Sequence, residues 1–307
     1  MVNYGLELGT GFRPLPSQSV FNLYVGFNFT INRDVTARLP NRARQLNTGT
    51  GQETIVNRVG SNTLSNHLLV YKGVYATDED VPVDPATGRR LRVGGTSPTE
   101  AHYFRAGDPI WVDINGDYII DDNDKVVIGN SQPRAHGGIN INLSYKNAIR
   151  FAINFSYVAR RDIINAALAE RFATYSNPLR QNALVPISAY NFWTPEHYEQ
   201  GRVADYPNPY DFTRASIINP FRPDQTVYME DGSFFKIQNA SLSYTIPREW
   251  SNRIGIRSMS VTASINNIWT FSRYSGINPE NVNSLGFDRS GGYPNSRRFA
   301  FGTQINF

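Results

Sequence analysis

Residues 20–32 read VFNLYVGFNFTIN. Phe21, Leu23, Val25, Phe27, Phe29 and Ile31 fall on one face of this stretch, and Asn22, Tyr24, Gly26, Asn28, Thr30 and Asn32 on the other. Strict alternation is the period-two signature of a β-strand. The run is also long. Strands in globular proteins average ~5–6 residues, whereas a tilted membrane-spanning strand needs ~9–11. One face is apolar and aromatic, which suits lipid. The other carries small uncharged polar groups, where the surface strand of a soluble sandwich would more often show Lys and Glu.

The pattern recurs along the chain. Ile139, Ile141, Leu143 and Tyr145 alternate with Asn140, Asn142 and Ser144; after a tight turn at residues 146–148, Ile149, Phe151, Ile153, Phe155 and Tyr157 alternate with Arg150, Ala152, Asn154 and Ser156. Met259, Val261, Ala263, Ile265, Trp269 and Phe271 share a face interrupted at Asn267, and Phe299, Phe301, Thr303, Ile305 and Phe307 share another. Backbone polar groups in lipid must all be paired, so such strands have to close into a barrel. The fold class predicted is all-β, a transmembrane antiparallel β-barrel.

Composition narrows the function classes. The chain has 307 residues, 40% hydrophobic and 13% aromatic, with no Cys, which excludes disulfides, Cys-ligated zinc and a thiol nucleophile. A net charge of +4 gives no case for nucleic acid as a partner. No run of ~18 apolar residues offers a transmembrane helix. The opening MVNYGLELGTGF lacks a charged segment followed by an apolar one, so no signal peptide is expected.

Bacterial barrels alternate short periplasmic turns with long extracellular loops. The short connections are residues 13–18, 146–148 and 247–257; the long ones are 33–51, 77–136, 161–232 and 274–297. For these to alternate, two further strands are required at 54–59 and 67–75, turning at Gly60, Ser61 and Asn62. With 4–12 and 233–246, the count reaches about nine, an odd number where single-chain bacterial barrels have an even one. The expectation is therefore the C-terminal portion of a larger barrel, residues 1–307 forming one unit of wall and extracellular loops. The final aromatic Phe307 fits a C-terminal outer-membrane signal.

Several passages resemble the SusC/RagA family of TonB-linked outer-membrane transporters of Bacteroidetes: NYGLEL at residues 3–8, DINGDYIIDDNDKVVIG at 113–129, NFWTPEH at 191–197, VYMEDGSFFKIQNASLSYTIP at 227–247, INNIWTFSRYSGINPE at 265–280 and GGYPNSRRFAFGTQINF at 291–307. They span nearly the whole chain. The resemblance implies a barrel of the 22-stranded, plugged class, located in the Gram-negative outer membrane and in contact with its lipid. It implies a SusD-like surface lipoprotein as partner and the TonB–ExbB–ExbD complex as energy source. The plug, the TonB box and many strands would lie upstream. Cargo would be oligosaccharides or peptides. Two alternatives stand beside it, a transport-inactive barrel kept as a structural scaffold in a larger complex, and a passive porin.

The segment DINGDYIIDDND places oxygen side chains at loop positions 1, 3, 5, 9 and 12: Asp113, Asn115, Asp117, Asp121 and Asp124, with the Ile119 carbonyl at position 7. This is the ligand spacing of an EF-hand-type Ca2+ loop. It departs from that pattern at position 6, which is Tyr118 in place of Gly, and no helix-forming segment flanks it. The competing reading is an Asx-rich turn without an ion.

No catalytic motif is present, so no enzyme is expected. The four His, at 67, 102, 136 and 197, show no ligand spacing. Asp78, Glu79 and Asp80 read as a solvated run. Arg89, Arg90 and Arg92 read as an exposed basic stretch, open to contact with an anionic surface. Residues 161–174 form the best helix candidate. Tyr190, Phe192, Trp193, Tyr206 and Tyr210 either pack their loop or offer rings to sugars.

Overall fold

The computed structural model describes residues 1–307 apart from 17, 51–52, 96–97, 176–188, 252, 254, 290–293 and 307. Seven strands form one antiparallel meander in chain order: β1 Val2–Phe12, β2 Phe21–Val35, β3 Ala135–Tyr145, β4 Ile149–Ala159, β5 Phe234–Thr245, β6 Ser258–Ser272 and β7 Arg298–Asn306. They run from 9 to 15 residues, as a tilted span of a bilayer requires. Position 307 lies outside the described residues.

The alternation seen in the sequence becomes two continuous faces because the register aligns like with like. Phe27, Ile139, Phe155, Ile237 and Trp269 form one cross-strand row; Val25, Ile141, Ile153, Ala240, Ile265 and Phe299 form the next. Leu23, Leu143, Phe151, Leu242, Ala263 and Phe301 form a third. A one-residue slip would turn each row to the other side, so the pattern pins the register. The face is left open, with Phe301 82% exposed and Trp269 56%. A contiguous apolar surface of this kind marks contact with lipid or a partner.

Two bulges keep the faces consistent. The register shifts by one residue between β4 and β5 near Gln238, and again between β5 and β6, where Asn267 adopts a left-handed φ of 54°. The interruption at Asn267 is thus a bulge, its Nδ2 donating to the Ser296 carbonyl at 3.1 Å.

All nine anticipated strand regions contain strand, but only seven belong to the wall. Glu53–Arg58 and Ser65–Leu69 lie in a separate four-stranded sheet with Gln45–Thr50 and Lys125–Ile128, and Tyr71–Val74 pairs with Pro109–Trp111. Every residue of Ser65–Leu69 is buried, Asn66 and His67 included, which a lipid-facing strand would not tolerate. Residues 36–134 are one long excursion. Short and long connections alternate without the two extra spans.

The long connections are a folded head. One core cluster gathers Leu68, Ile164, Phe172, Phe192, Phe221, Tyr228 and Phe287; a second gathers Leu69, Tyr75, Val81, Leu91, Phe104, Trp111, Ile120 and Ile218. Residues from three excursions meet there. The Leu69 N–H donates to the Asp224 carbonyl at 3.0 Å, and the Ile164 N–H to the Gly286 carbonyl at 2.9 Å. The helix expected at 161–174 begins later, at Ala166–Tyr175, because Asp162–Ile164 first pairs with Met229–Asp231. The Asn165 side chain then accepts from the Leu168 N–H at 3.0 Å and caps the helix.

Candidate functional site: the polar face and the seam below the head

The second face of the wall is polar. Gly26, Asn140, Asn154, Asn239, Asn266 and Arg298 form one row across six strands, and the Asn154 Nδ2 donates to the Asn239 Oδ1 at 2.8 Å. Two rows further along the same face lie Asn22, Ser144, Arg150, Ser243, Thr262 and Gly302, with the Ser243 and Thr262 hydroxyls 2.9 Å apart. In a closed barrel this face lines the lumen. Side-chain amides and hydroxyls each donate and accept, so they wet the wall, and Arg150 and Arg298 add positive charge to these two rows.

Where wall meets head, a cavity of about 630 Å³ is lined by Arg134, Arg160, Asp162 and Asp231, with small polar residues and the aliphatic Val127 and Ile128. Its walls are set by backbone pairing. The Arg134 N–H donates to the Arg160 carbonyl at 3.2 Å, and the Arg160 N–H donates to the Ser233 Oγ at 2.9 Å. None of these four residues was singled out in the sequence: Arg134 and Arg160 flank strand ends, and Asp162 and Asp231 lie within longer passages read for other reasons. A second cavity of about 340 Å³ includes buried Lys236, whose Nζ lies 2.5 Å from the Glu280 Oε2.

The anticipated calcium residues share one tight loop, but their oxygens serve the backbone. Asp113 accepts from the Gly116 N–H at 2.7 Å and the Tyr118 N–H at 2.8 Å; Asn115 accepts from the Asp117 N–H at 3.0 Å and Asp117 from the Ile119 N–H at 2.8 Å. Asp121 accepts from the Asn123 N–H at 2.7 Å, and buried Asp124 from the Ile114 and Asp121 N–H groups, both at 2.9 Å. Tyr118 takes the positive φ, 60°, that position 6 demands, and Gly116 another at 75°. Burial pushes the Asp124 carboxyl up, and the charge of Asp113 adds to it. Among the described residues no three His, Asp or Glu side chains stand where together they could hold a metal ion. In this structure the loop is held by its own Asx turns.

The other candidates resolve into structure. Tyr190, Phe192 and Tyr206 surround buried Phe172 with ring centroids 4.8–4.9 Å away, so they pack; Tyr210 stays 61% exposed. Leu91, inside the basic stretch, belongs to the core, and Arg90 pairs with Asp78 at 3.2 Å. Asp80 accepts from the Thr77 N–H at 2.9 Å and closes a turn. His197 contacts the Phe192 carbonyl at 2.7 Å, and His67 is buried in its strand.

No family model matches the chain. Over 99% of its length it is 27% identical to TonB-dependent receptor P3 of Formosa agariphila, covering 28% of that protein, and likewise 27% identical to TonB-dependent receptor P39, covering 30%. It is 24% identical over 80% of its length to the TonB-dependent receptor SusC of Bacteroides thetaiotaomicron, covering 24% of it. Among solved structures, the RagAB peptide transporter matches 99% of this chain and 29% of the solved one with a TM-score of 0.70 at 19% identity. The open-open state of the RagAB peptide importer gives a TM-score of 0.68. The resemblance to SusC/RagA-type receptors is borne out, and so is the fold, a partial barrel. The chain spans less than a third of the length of these relatives.

Proposed function

We propose that residues 1–307 form a section of barrel wall and the outward head of a SusC-like, TonB-dependent importer in the outer membrane. One observation carries the reading. An antiparallel meander has an open apolar face and an amide-rich polar face, short turns at one end and a folded head at the other, and 99% of it matches under a third of a RagAB chain. Strands β1 and β7 each pair on one side only. Open edges leave N–H and C=O groups unpaired, which lipid does not permit, so further strands close the wall.

In this proposal the apolar rows hold the wall in lipid. The asparagine and hydroxyl rows give oligosaccharides or peptides a wet path with exchangeable hydrogen bonds. A SusD-like surface lipoprotein docks on the head, and TonB–ExbB–ExbD supplies energy through parts of the protein beyond this wall section. No step runs through calcium, and no residue is assigned a catalytic role.

Uptake of labelled oligosaccharides and peptides, compared between wild-type cells, cells lacking this protein and cells lacking TonB, tests the reading. Uptake lost in both mutants supports it. Uptake kept without TonB would indicate a passive porin. An envelope defect with undiminished uptake would indicate a scaffold.

A further inference from the structure

The seam cavity carries two doubled charges. Arg134 and Arg160 are cross-strand neighbours at the ends of β3 and β4, and Asp162 and Asp231 are register partners in the short ribbon above. Facing side chains on neighbouring strands have their Cβ atoms ~4.5–5.5 Å apart, where like charges repel. Among the described residues, the ion pairs of the chain include none of these four. Each aspartate has committed one oxygen: Asp162 Oδ2 accepts from the Asn130 N–H at 2.8 Å, and Asp231 Oδ1 from the Ser233 N–H at 2.9 Å and Oγ at 2.5 Å. Among the described residues the other oxygen of each has no hydrogen-bond partner. Two arginines and two aspartates, Arg134, Arg160 and Asp231 among them exposed, thus line one open space.

We propose that this cavity binds the charged ends of a short peptide, its carboxylate held between Arg134 and Arg160 and its ammonium by Asp162 and Asp231. The site deepens, and rests on, the importer reading. A carboxylate between the arginines relieves their repulsion and accepts two charge-assisted pairs of hydrogen bonds. An ammonium, with three donors, does the same for the aspartates. The volume of about 630 Å³ lies within the range of small-ligand sites. The lining contains no aromatic ring; apart from the aliphatic Val127 and Ile128 and the four charged residues, it is small and mostly polar, as at Ser61, Asn62, Asn130 and Ser233. The cavity therefore offers no platform for a sugar ring, and its chemistry selects a zwitterion over a neutral glycan.

Calorimetric titration of the assembled transporter with trialanine, its C-terminal amide, its N-acetyl form and maltotriose tests the site. Wild type should bind trialanine about tenfold or more tighter than either blocked peptide, the worth of a lost charge-assisted bond. The Arg134→Gln/Arg160→Gln double variant should bind trialanine and its amide equally. Arg134→Lys, which keeps the charge and loses the fork, should retain part of the discrimination and serves as the folding control. An acid-to-amide ratio unchanged by the double substitution, no binding of trialanine by wild type, or maltotriose affinity that falls with the arginines would overturn the proposal. Energised uptake is measured in parallel. Uptake without arginine-dependent peptide binding removes this site and leaves the importer; arginine-dependent binding without energised uptake does the reverse.

Discussion

Lys125 Nζ lies 2.8 Å from Asp224 Oδ2, with both side chains buried, and so ties the first excursion of the head to the second. Arg222 Nε, 2.5 Å from Asp224 Oδ1, completes the pairing. Removing Asp224 leaves buried Lys125 only its exposed partner Asp122 and strips Arg222 of its carboxylate, a cost below the about 3–5 kcal/mol of a fully unpaired buried charge but still large for one side chain. Asp224→Ala should therefore open the head while the wall persists. Hydrogen exchange should rise at Leu68 and Leu69 and remain slow in β3 and β4. Uniform protection in the variant would show that the pair does not hold the head.

His67 sits beside that pair. Burial, with the Lys125 charge adding to it, lowers its pKa below the ordinary 6.5, although Asp122 and Asp224 pull the other way. The unfolded chain then binds a proton that the folded head refuses, so stability falls as pH drops below about 6.5 and levels off beneath the folded pKa. Thermal unfolding of the head between pH 7.5 and 5 should show this loss in wild type, and His67→Gln should flatten it. An equal slope in both would place the acid sensitivity elsewhere.

Gly137 lies under a Tyr157 hydroxyl that donates to the Asn28 carbonyl at 3.2 Å. A Cβ at Gly137 would run into the Asn28 carbonyl oxygen and stand 2.6 Å from the Tyr157 Oη. The backbone oxygen has nowhere to go, so Gly137→Ala should cost about 1–3 kcal/mol. A Cβ at Gly302 meets nothing within 4 Å, and Gly302→Ala should stay within about 0.5 kcal/mol of wild type. Denaturant unfolding of the assembled barrel compares them, and equal costs would contradict the packing of β2 against β3.

The Asp113 carboxylate supports two N–H groups, whereas the Asp122 side chain is 85% exposed and pairs with Lys125 at 2.7 Å. Asp113→Ala should speed exchange at Gly116 and Tyr118, with or without calcium, and Asp122→Ala should do so much less. Added calcium should leave wild-type exchange in the loop unchanged. A saturable calcium response lost in Asp113→Ala would restore the ion to the loop.

The wall was legible because a strand facing lipid on one side and water on the other writes its environment at every second residue. Phe21 to Ile31 needed no partner to be read. The head was not legible in that way. Ser65–Leu69 is buried on both sides and has no alternation, and its neighbour in the sheet, Lys125–Ile128, is more than fifty residues away along the chain. Parity then assigned two head strands to the wall, when the long connection simply continued. The acidic spacing at 113–124 was visible as a motif, but the direction of each oxygen depends on backbone turns. Arg134 and Arg160 meet only through the pairing of β3 with β4, which no local spacing reveals.

The chain contains no Cys, so single cysteines can report each face without background. In the assembled barrel in lipid, cysteines at Phe27, Phe155 and Phe301 should react with a membrane-partitioned thiol reagent and resist a charged water-soluble one. Cysteines at Asn142 and Ser264 on the polar face should show the reverse. Equal labelling of both faces from water would contradict the account of this chain as the wall of an outer-membrane barrel.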